Sequence, residues 1–412
     1  MKGERLKQFA QGARHRVGEK VKARIESVAF GGEGVARLDE MVLFVPFTVD
    51  QDVAEIKITE VRKNYLKGKL EKLLVSSPQR EAPRCPYFMK CGGCQYQHID
   101  YRYQLELKKN QVVESFKRIG RISSPPVKDV IASPKVFNYR GKAEFHIQAR
   151  RGNQPVAGFM DTGGERVVDI ERCEIVDETI NDKLLDLRKN LTPEHISAGA
   201  GETKIVWSGE GELPKIGGGI EREITRVVKG QTIRVSEQGF FQANLSLVDT
   251  LVDTVLEMSN LKGGENILDC YCGTGLFSLF LAHHAGQIFA VEIDGEAVQA
   301  AKKNFTDFGH PESLILEGAV EKVLQGPLSE KKGNVDVVVL DPPRTGCGQD
   351  IHAILAEWAP RRLVYVSCDP ATQARDIRFL LDVGFELQVL QPFDMFPQTK
   401  HIEVVGLLTK PR

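Results

Sequence analysis

Between residues 17 and 75 apolar and polar positions alternate in short runs, VKARIESVAF, GVARLD, MVLFVPF and VAEIKITEVRKNYLKGKLEKLL, broken by the glycine turn GGEG. Alternation with period two puts every second side chain on one face, so about five short strands are predicted, arranged as a small β-barrel of the OB type. SSPQREAPR at 76–84 has the proline and polar content of a linker. The pattern then turns helical in YRYQLELKKNQVVESFKRIG and is stopped by SSPPV. From 136 to 235 strand-like runs return (YRGKAEFHIQAR, PVAGFMD, RVVDIERCEIV, TKIVWSG, ITRVVKGQTIRV) around a helix predicted over 177–190. After 236 the grammar changes again. NLSLVDTLVDTVLEMSN carries apolar residues at 245, 248, 251, 252 and 255, and beyond it strands and helices alternate: ENILDC, GQIFAVEID, SLILEGA, VDVVVLD, RRLVYVS, FELQVLQPF and HIEVVGLL are the strands. Such alternation predicts a mostly parallel, Rossmann-like α/β sheet with helices on both faces. Three domains are expected: an OB-like barrel over 1–76, a mixed, β-rich domain over 77–235 and an α/β domain over 236–412.

With 42% hydrophobic and 27% charged residues the chain has the composition of a water-soluble globular protein. It contains no apolar run of the ~18 residues a membrane span requires. Its N-terminal MKGERLKQFAQGARHR is basic without a following apolar stretch, so no secretory signal is expected and the chain reads as a cytoplasmic monomer without a membrane partner. The net charge of −1 excludes a wholly basic nucleic-acid coat, but residues 1–84 carry 17 Lys and Arg against 12 Asp and Glu. That local excess points to a polyanionic partner. The aromatic residues Phe30, Phe44, Phe47 and Tyr65 lie among the basic Arg62, Lys63, Lys67 and Lys69, a mixture suited to RNA.

ILDCYCGTGLFSL at 267–279 reads as a strand, a glycine turn through Gly273 and Gly275, and a helix. Glycines let the backbone approach a ligand at the strand ends of this sheet type. The spacing matches neither GxGxxG nor a phosphate-binding GK[ST] loop. In FAVEID the acid Glu292 ends the next strand, where it can accept from both hydroxyls of a ribose. Together these features read as an S-adenosylmethionine pocket. VVVLDPPRTG places Asp341 at the end of the fourth strand, with two prolines fixing an extended exit. Related turns in methyltransferases set a polar group beside a planar base. Eight cysteines in a reducing compartment are not expected to form a disulfide framework. Cys85, Cys91 and Cys94 follow C-x5-C-x2-C, with Cys173 far away; three clustered thiols and one remote suit a [4Fe–4S] cluster, and spacing alone leaves zinc open.

SEQGFFQANLSLVDTLV, LDCYCGTGLFSL, VEID, LDPPRTG, VSCDPATQARD and FDMFPQTKHIEVV occur in this order. In these stretches the chain resembles the bacterial RNA 5-methyluridine methyltransferases, and its N-terminal part resembles that family's TRAM domain. The resemblance implies that Cys85, Cys91, Cys94 and Cys173 hold a [4Fe–4S] cluster, that Gln242 and Tyr271 contact the cofactor, and that the substrate is structured RNA. The 23S rRNA branch is favoured over tRNA because a TRAM-like domain and the cysteine set occur together. Leu276 and Ala319 depart from the pattern, at positions where a small or polar residue and an acid are common.

Uracil C5 is a weak nucleophile until a thiolate adds to C6, which makes Cys368, at a strand end beside the turn opened by Asp369 and Pro370, the expected nucleophile. The C5 proton must then leave to a base. Glu403 is assigned because a carboxyl at the start of an apolar strand is costly unless it works; His401 is the rival. A target base in folded RNA must flip out of its stack. Two readings of other kinds remain: a non-catalytic RNA-binding assembly factor, whose signature would be loss of Cys368 or Glu403, and methylation of an exocyclic amine, which has no use for Cys368.

Overall fold

The computed structural model describes residues 15–149, 155–191, 202–209 and 223–411. The first 14 residues of the expected barrel and stretches of the expected central domain lie outside the described residues. The chain divides into two compact units, Met1–Leu107 with Gln398–Lys400, and Lys108–Pro397 with His401–Arg412.

In the first unit the alternating run folds into β1 (Lys20–Arg24), β2 (Ser27–Val28), β3 (Glu33–Leu38), β4 (Met41–Pro46), β5 (Val53–Val61) and β6 (Tyr65–Val75). They form one sheet in the order β1-β5-β6-β4-β3-β2. The inward residues Ile25, Leu43, Val45, Ile56, Ile58 and Leu66 are fully buried, as the period-two pattern requires. Gly68 is required by close packing: a Cβ there would lie 2.3 Å from Ile56 Cγ2. The buried Asp52 carboxylate ties the strands to the following segment, accepting from Val49 N (2.8 Å), Ser77 N (3.0 Å) and Arg80 Nη2 (2.7 Å). The helix predicted near 101–120 is α1 (Tyr101–Arg118), and the boundary between the units falls within it.

The second unit opens with a four-stranded antiparallel sheet of β7 (Lys142–Ala149), β8 (Pro155–Met160), β9 (Val167–Asp169) and β10 (Glu202–Trp207), in the order β10-β7-β8-β9. Helix α2 (Glu178–Lys189) falls where it is expected, N-capped by Asp177. The strand predicted over RVVDIERCEIV stops early, at Asp169. Cys173 is instead fixed to α2, its N–H donating to Asn181 Oδ1 at 2.9 Å while Asn181 Nδ2 returns a bond to the Cys173 carbonyl at 3.1 Å. A hairpin of β11 (Glu223–Val228) and β12 (Gln231–Ser236) follows.

The α/β part confirms the predicted alternation: α3 (Val248–Ser259), β13 (Glu265–Cys270), α4 (Leu276–Ala282), β14 (Ala285–Glu292), α5 (Gly295–Asp307), β15 (Leu314–Glu317), α6 (Val320–Gln325), β16 (Val337–Leu340), α7 (Gln349–Trp358), β17 (Arg362–Ser367), α8 (Pro370–Asp382), β18 (Glu386–Phe393) and β19 (Glu403–Thr409). The seven strands are ordered β15-β14-β13-β16-β17-β19-β18, parallel except that β19 runs antiparallel to both β17 and β18. β16 is buried at all four residues, as expected for a central strand covered on both faces. Residues 127–131 cover the outer edge of β18, with Lys128 N donating to Leu390 O and Ile131 N to Pro392 O, each at 2.9 Å.

The loop leaving β18 is anchored by a fully buried ion pair: Lys108 Nζ lies 2.5 Å from Asp394 Oδ1, with a second bond to Phe396 O at 3.0 Å. Burial pushes the Lys108 pKa down despite the neighbouring carboxylate. Removing one partner strands the other charge in an apolar core, so Lys108→Met is expected to cost about 3–5 kcal/mol. Lys108→Met combined with Asp394→Leu should recover most of that loss; urea unfolding followed by near-UV circular dichroism measures both.

Candidate active site

Strand register collects the predicted residues at one edge of the large sheet. Cys270, at the end of β13, pairs with Val291 of β14 and with Leu340 of β16, and Leu340 pairs with Tyr365 of β17. Glu292, Asp341 and Cys368 therefore leave neighbouring strands at the same edge. β19 runs the other way, and Ser367 pairs with Val404, so Glu403 at the start of β19 comes beside Cys368.

The glycine turn is built as its sequence implies. Gly273 has φ 54° and Gly275 φ 90°, a region open to glycine without steric cost. A Cβ at Gly273 would meet nothing within 4 Å, so the turn borders open space. Glu292 is engaged with the backbone: Oε2 accepts from Gly273 N (2.9 Å), and Oε1 from Ile293 N (2.7 Å) and Asp294 N (2.9 Å). Asn304 of α5 steadies the turn from behind by donating to Thr274 O (3.1 Å) and Arg234 O (3.0 Å). Leu276, a departure from the family pattern, is a buried core residue, and Ala319 stands before α6 without a side-chain cap.

Asp269 is a site residue that the sequence reading missed. It is fully buried, takes a hydrogen bond from Ser278 Oγ on Oδ2, and leaves Oδ1 without a hydrogen-bond partner. Burial pushes its pKa up to about 7. An open glycine cradle flanked by the buried Asp269 and the half-buried Glu292 fits a cationic, hydroxyl-bearing ligand such as S-adenosylmethionine. Tyr271, at φ 64°, is half-buried; burial raises its pKa first, with Cys347 and Cys270 adding to the effect. Gln242 is 5% exposed in the loop after β12, directly after Phe240, which is 71% exposed, and the core residue Phe241.

Cys368 is half-buried, and its thiol is pushed up to about 12, first by burial and then by the nearby Glu403 charge. The Arg344 side chain opposes this, by charge and by hydrogen-bonding the sulfur, and Asp341 adds to the upward push. Burial raises the Glu403 pKa well above the carboxylate range, Asp341 raises it further, and Arg344 again opposes. Asp341 is itself raised by burial, Asp269 and Glu292. The acids thus form a chain from the glycine turn to the thiol, with Arg344 as the opposing cation. Arg344 was also missed, although it stands inside the LDPPRTG motif. His401 packs its ring edge-on to Phe396 at 5.8 Å. Cys270, Cys272 and Cys347 are buried, and burial raises each thiol, as expected of packing residues.

Cys85, Cys91 and Cys94 lie in the first unit and Cys173 in the second, all half-buried. Burial is the main cause raising the Cys91 pKa, Cys85 adds to it, and Gly93 N–H donates to Cys91 Sγ at 3.4 Å. Thiols of this kind, with a backbone donor on sulfur, suit an iron–sulfur ligand set chemically. Among the described residues, however, no three His, Cys, Asp or Glu side chains are gathered as a metal-holding group. In the first unit Phe44 and Tyr65 pack edge-to-face at 5.8 Å, Phe47 packs on Phe88 at 5.3 Å, and Phe30 is exposed. Arg62, Lys63 and Lys69 are exposed; Arg62 is paired with Glu60. Among the described residues no helix is long and apolar enough to cross a membrane.

Comparison with known proteins agrees with this geometry. The TRAM domain model matches residues 14–70, and the tRNA (Uracil-5-)-methyltransferase model matches residues 220–314 and 322–411. The chain is 35% identical over 445 residues to an uncharacterized RNA methyltransferase of Halalkalibacterium halodurans, covering 94% of this chain and 96% of that protein. It is 33% identical to one from a Nostoc species, covering 95% and 96%. Among solved structures it is similar to the tRNA (uracil-54, C5)-methyltransferase of Pyrococcus abyssi in complex with S-adenosyl-L-homocysteine, at 25% identity and a TM-score of 0.73, covering 94% of this chain and 100% of that one. A family-wide match at this identity and coverage, together with the strand-edge geometry, places the chain among the S-adenosylmethionine-dependent RNA (uracil-5-)-methyltransferases, with a TRAM domain over residues 14–70.

Proposed function

We propose that this enzyme methylates C5 of a uridine in structured RNA through a transient bond between Cys368 and C6 of the flipped base, with Glu403 as the base that removes the C5 proton. The observation that carries this reading is the electrostatic set at the strand edge, in which Cys368 feels Glu403, Arg344 and Asp341 together. Gly273, Glu292, Gln242, Tyr271 and Asp341 are assigned to the cofactor, which when bound supplies an electrophilic methyl group. The Cys368 thiol gives its proton to solvent water, and its sulfur forms the bond to C6 as the C5–C6 π electrons shift away from C6, which makes C5 electron-rich. Arg344 stabilises the thiolate by charge. Once C5 carries both methyl and hydrogen, Glu403 takes the proton, the C5–C6 double bond re-forms, and Cys368 leaves with the electrons of the C6–S bond. Glu403 suits this step because its raised pKa makes it a stronger base than an exposed carboxylate.

RNA carrying 5-fluorouridine at the target should be trapped as a covalent adduct, because fluorine cannot leave as a proton. Cys368→Ala should abolish the adduct, and an adduct surviving in that variant would refute the assignment. With ordinary RNA, Glu403→Gln should accumulate an adduct instead of turning over. Because burial favours the protonated thiol, kcat/KM should rise with pH from neutral upward. Arg344→Gln removes the opposing cation, so the same rise should move to higher pH, with adduct formation at pH 7 slowed by about tenfold for each unit moved.

The cysteine set and the TRAM domain together support a large-subunit (23S) ribosomal RNA substrate. The likeness to the Pyrococcus abyssi enzyme favours tRNA as the second reading. Mapping 5-methyluridine in both RNA pools, from cells with and without this protein, separates them: loss confined to tRNA would overturn the ribosomal assignment.

Spacing, half-burial and the backbone donor on Cys91 support a [4Fe–4S] cluster on Cys85, Cys91, Cys94 and Cys173, and no step of the reaction is routed through it. Anaerobically purified protein should contain about four irons per chain, the complement of that cluster type. Stoichiometric zinc without iron would overturn the assignment.

A further inference from the structure

We infer that Asp376, a buried carboxylate of α8 that touches neither base nor cofactor in the reading above, is a positioning residue that locks the Asp341–Arg344 loop to the helix following Cys368. The inference rests on the proposed covalent reaction and adds to it the device that sets its geometry.

Asp376 is completely buried. Its Oδ2 accepts from the Cys347 N–H at 2.8 Å and from the Tyr365 hydroxyl at 2.7 Å. Its Oδ1 accepts from Arg375 Nε at 2.9 Å and Nη2 at 2.7 Å, and His352 Nε2 lies 3.6 Å away. Arg375 Nη2 continues to the Thr345 carbonyl at 2.8 Å. One carboxylate thereby holds the far end of the loop that carries Asp341 and Arg344, strand β17 through Tyr365, and α8 itself. Cys368 lies between the last two. Gly346 makes the approach possible: it sits at φ 76°, and a Cβ there would fall 2.4 Å from Asp376 Oδ2 and 2.6 Å from Arg375 Nη2. A buried carboxylate with this many donors is strongly oriented, because charge-assisted bonds are short and directional. A purely apolar plug could fill the space, but it could not hold a backbone N–H, a phenol and a guanidinium at once.

Loosening this tether lets Arg344 drift from the Cys368 sulfur, and displacements of about 1 Å can cost about 10²-fold in rate. Asp376→Asn keeps the shape and loses the charge. Arg375→Lys, at a partly exposed position, keeps the carboxylate and loses the fork. Gly346→Ala attacks the same contact from the loop side. Each variant should lower kcat and the rate of 5-fluorouridine adduct formation by about 10- to 100-fold, with KM for RNA and the affinity for S-adenosylhomocysteine within about twofold of wild type. The pair Asp376→Asn with Gly346→Ala should cost no more than the worse single change, because both break one contact. The wild type is the control on the underlying mechanism: if it forms no adduct, the covalent reading itself fails. If the wild type forms adduct and the folded variants match its rate, or lose ligand affinity and rate in parallel, or if the double variant is additive, Asp376 is structural only and the inference is overturned.

Discussion

Crowding of acidic groups at one edge of the sheet is the constraint on which the rest of the α/β unit depends. Asp269, Glu292, Asp341, Glu403 and the Cys368 thiol all lie where β13, β14, β16 and β17 end and β19 begins. Burial and the neighbouring anions make Asp269, Asp341 and Glu403 harder to ionise, so protons are retained on carboxyl groups that would be bare in water. That is a poor arrangement for stability and a useful one for chemistry. It raises the basicity of Glu403, as the proposed abstraction of a proton from carbon requires, and it favours a cationic ligand. Arg344 moderates it at the thiol, where a negative charge has to appear.

Such a cluster can be assembled only if the backbone imposes it. Parallel order delivers the C-terminal ends of β13, β14, β16 and β17 to one edge. Glu403 lies 35 residues beyond Cys368 and opens a strand, and were that strand parallel to β17 it would stand at the opposite edge. It returns to the same edge because β18 and β19 form a reversed pair and β19 inserts beside β17. The antiparallel step thus brings the proposed base, Glu403, beside Cys368. It also leaves a connection of nine residues, 394–402, directly before Glu403, and the buried Lys108–Asp394 pair anchors the start of that connection.

Most of the fold could be read from the hydrophobic pattern, because the barrel strands bury one face each and the central strands of the α/β unit are apolar throughout. The seven strands of the α/β unit fall where apolar runs of four to eight residues lie between helical stretches. Glu403 was legible for the same reason, since a carboxyl opening an apolar strand contradicts its surroundings. Arg344 was not, because a cation after two prolines reads as solvated loop, and its closeness to Cys368 depends on two segments distant in sequence. Asp376 was hidden differently: in QARDIRF it looks like one member of a charged helix face, and only the tertiary structure shows it turned inward. The end of β9 was misread because the Asn181 contact at Cys173 is invisible to any local pattern.

Positioning of Arg344 reduces to a short-loop problem. Five residues separate Asp341 from Cys347, too few to wander if both ends are fixed. The near end is held by the Asp341 N–H donating to Cys270 O at 3.3 Å, and Pro342 and Pro343 stiffen the exit by fixing φ. The far end is held by the Cys347 N–H on Asp376 and by the left-handed turn at Gly346. Arg344 stands at the middle of this span and is exposed. Its place beside the sulfur is inherited from the two anchors. A long cationic side chain on a doubly pinned loop can remain close to a thiolate and still admit a planar base, which a cation projecting from the rigid strand would obstruct.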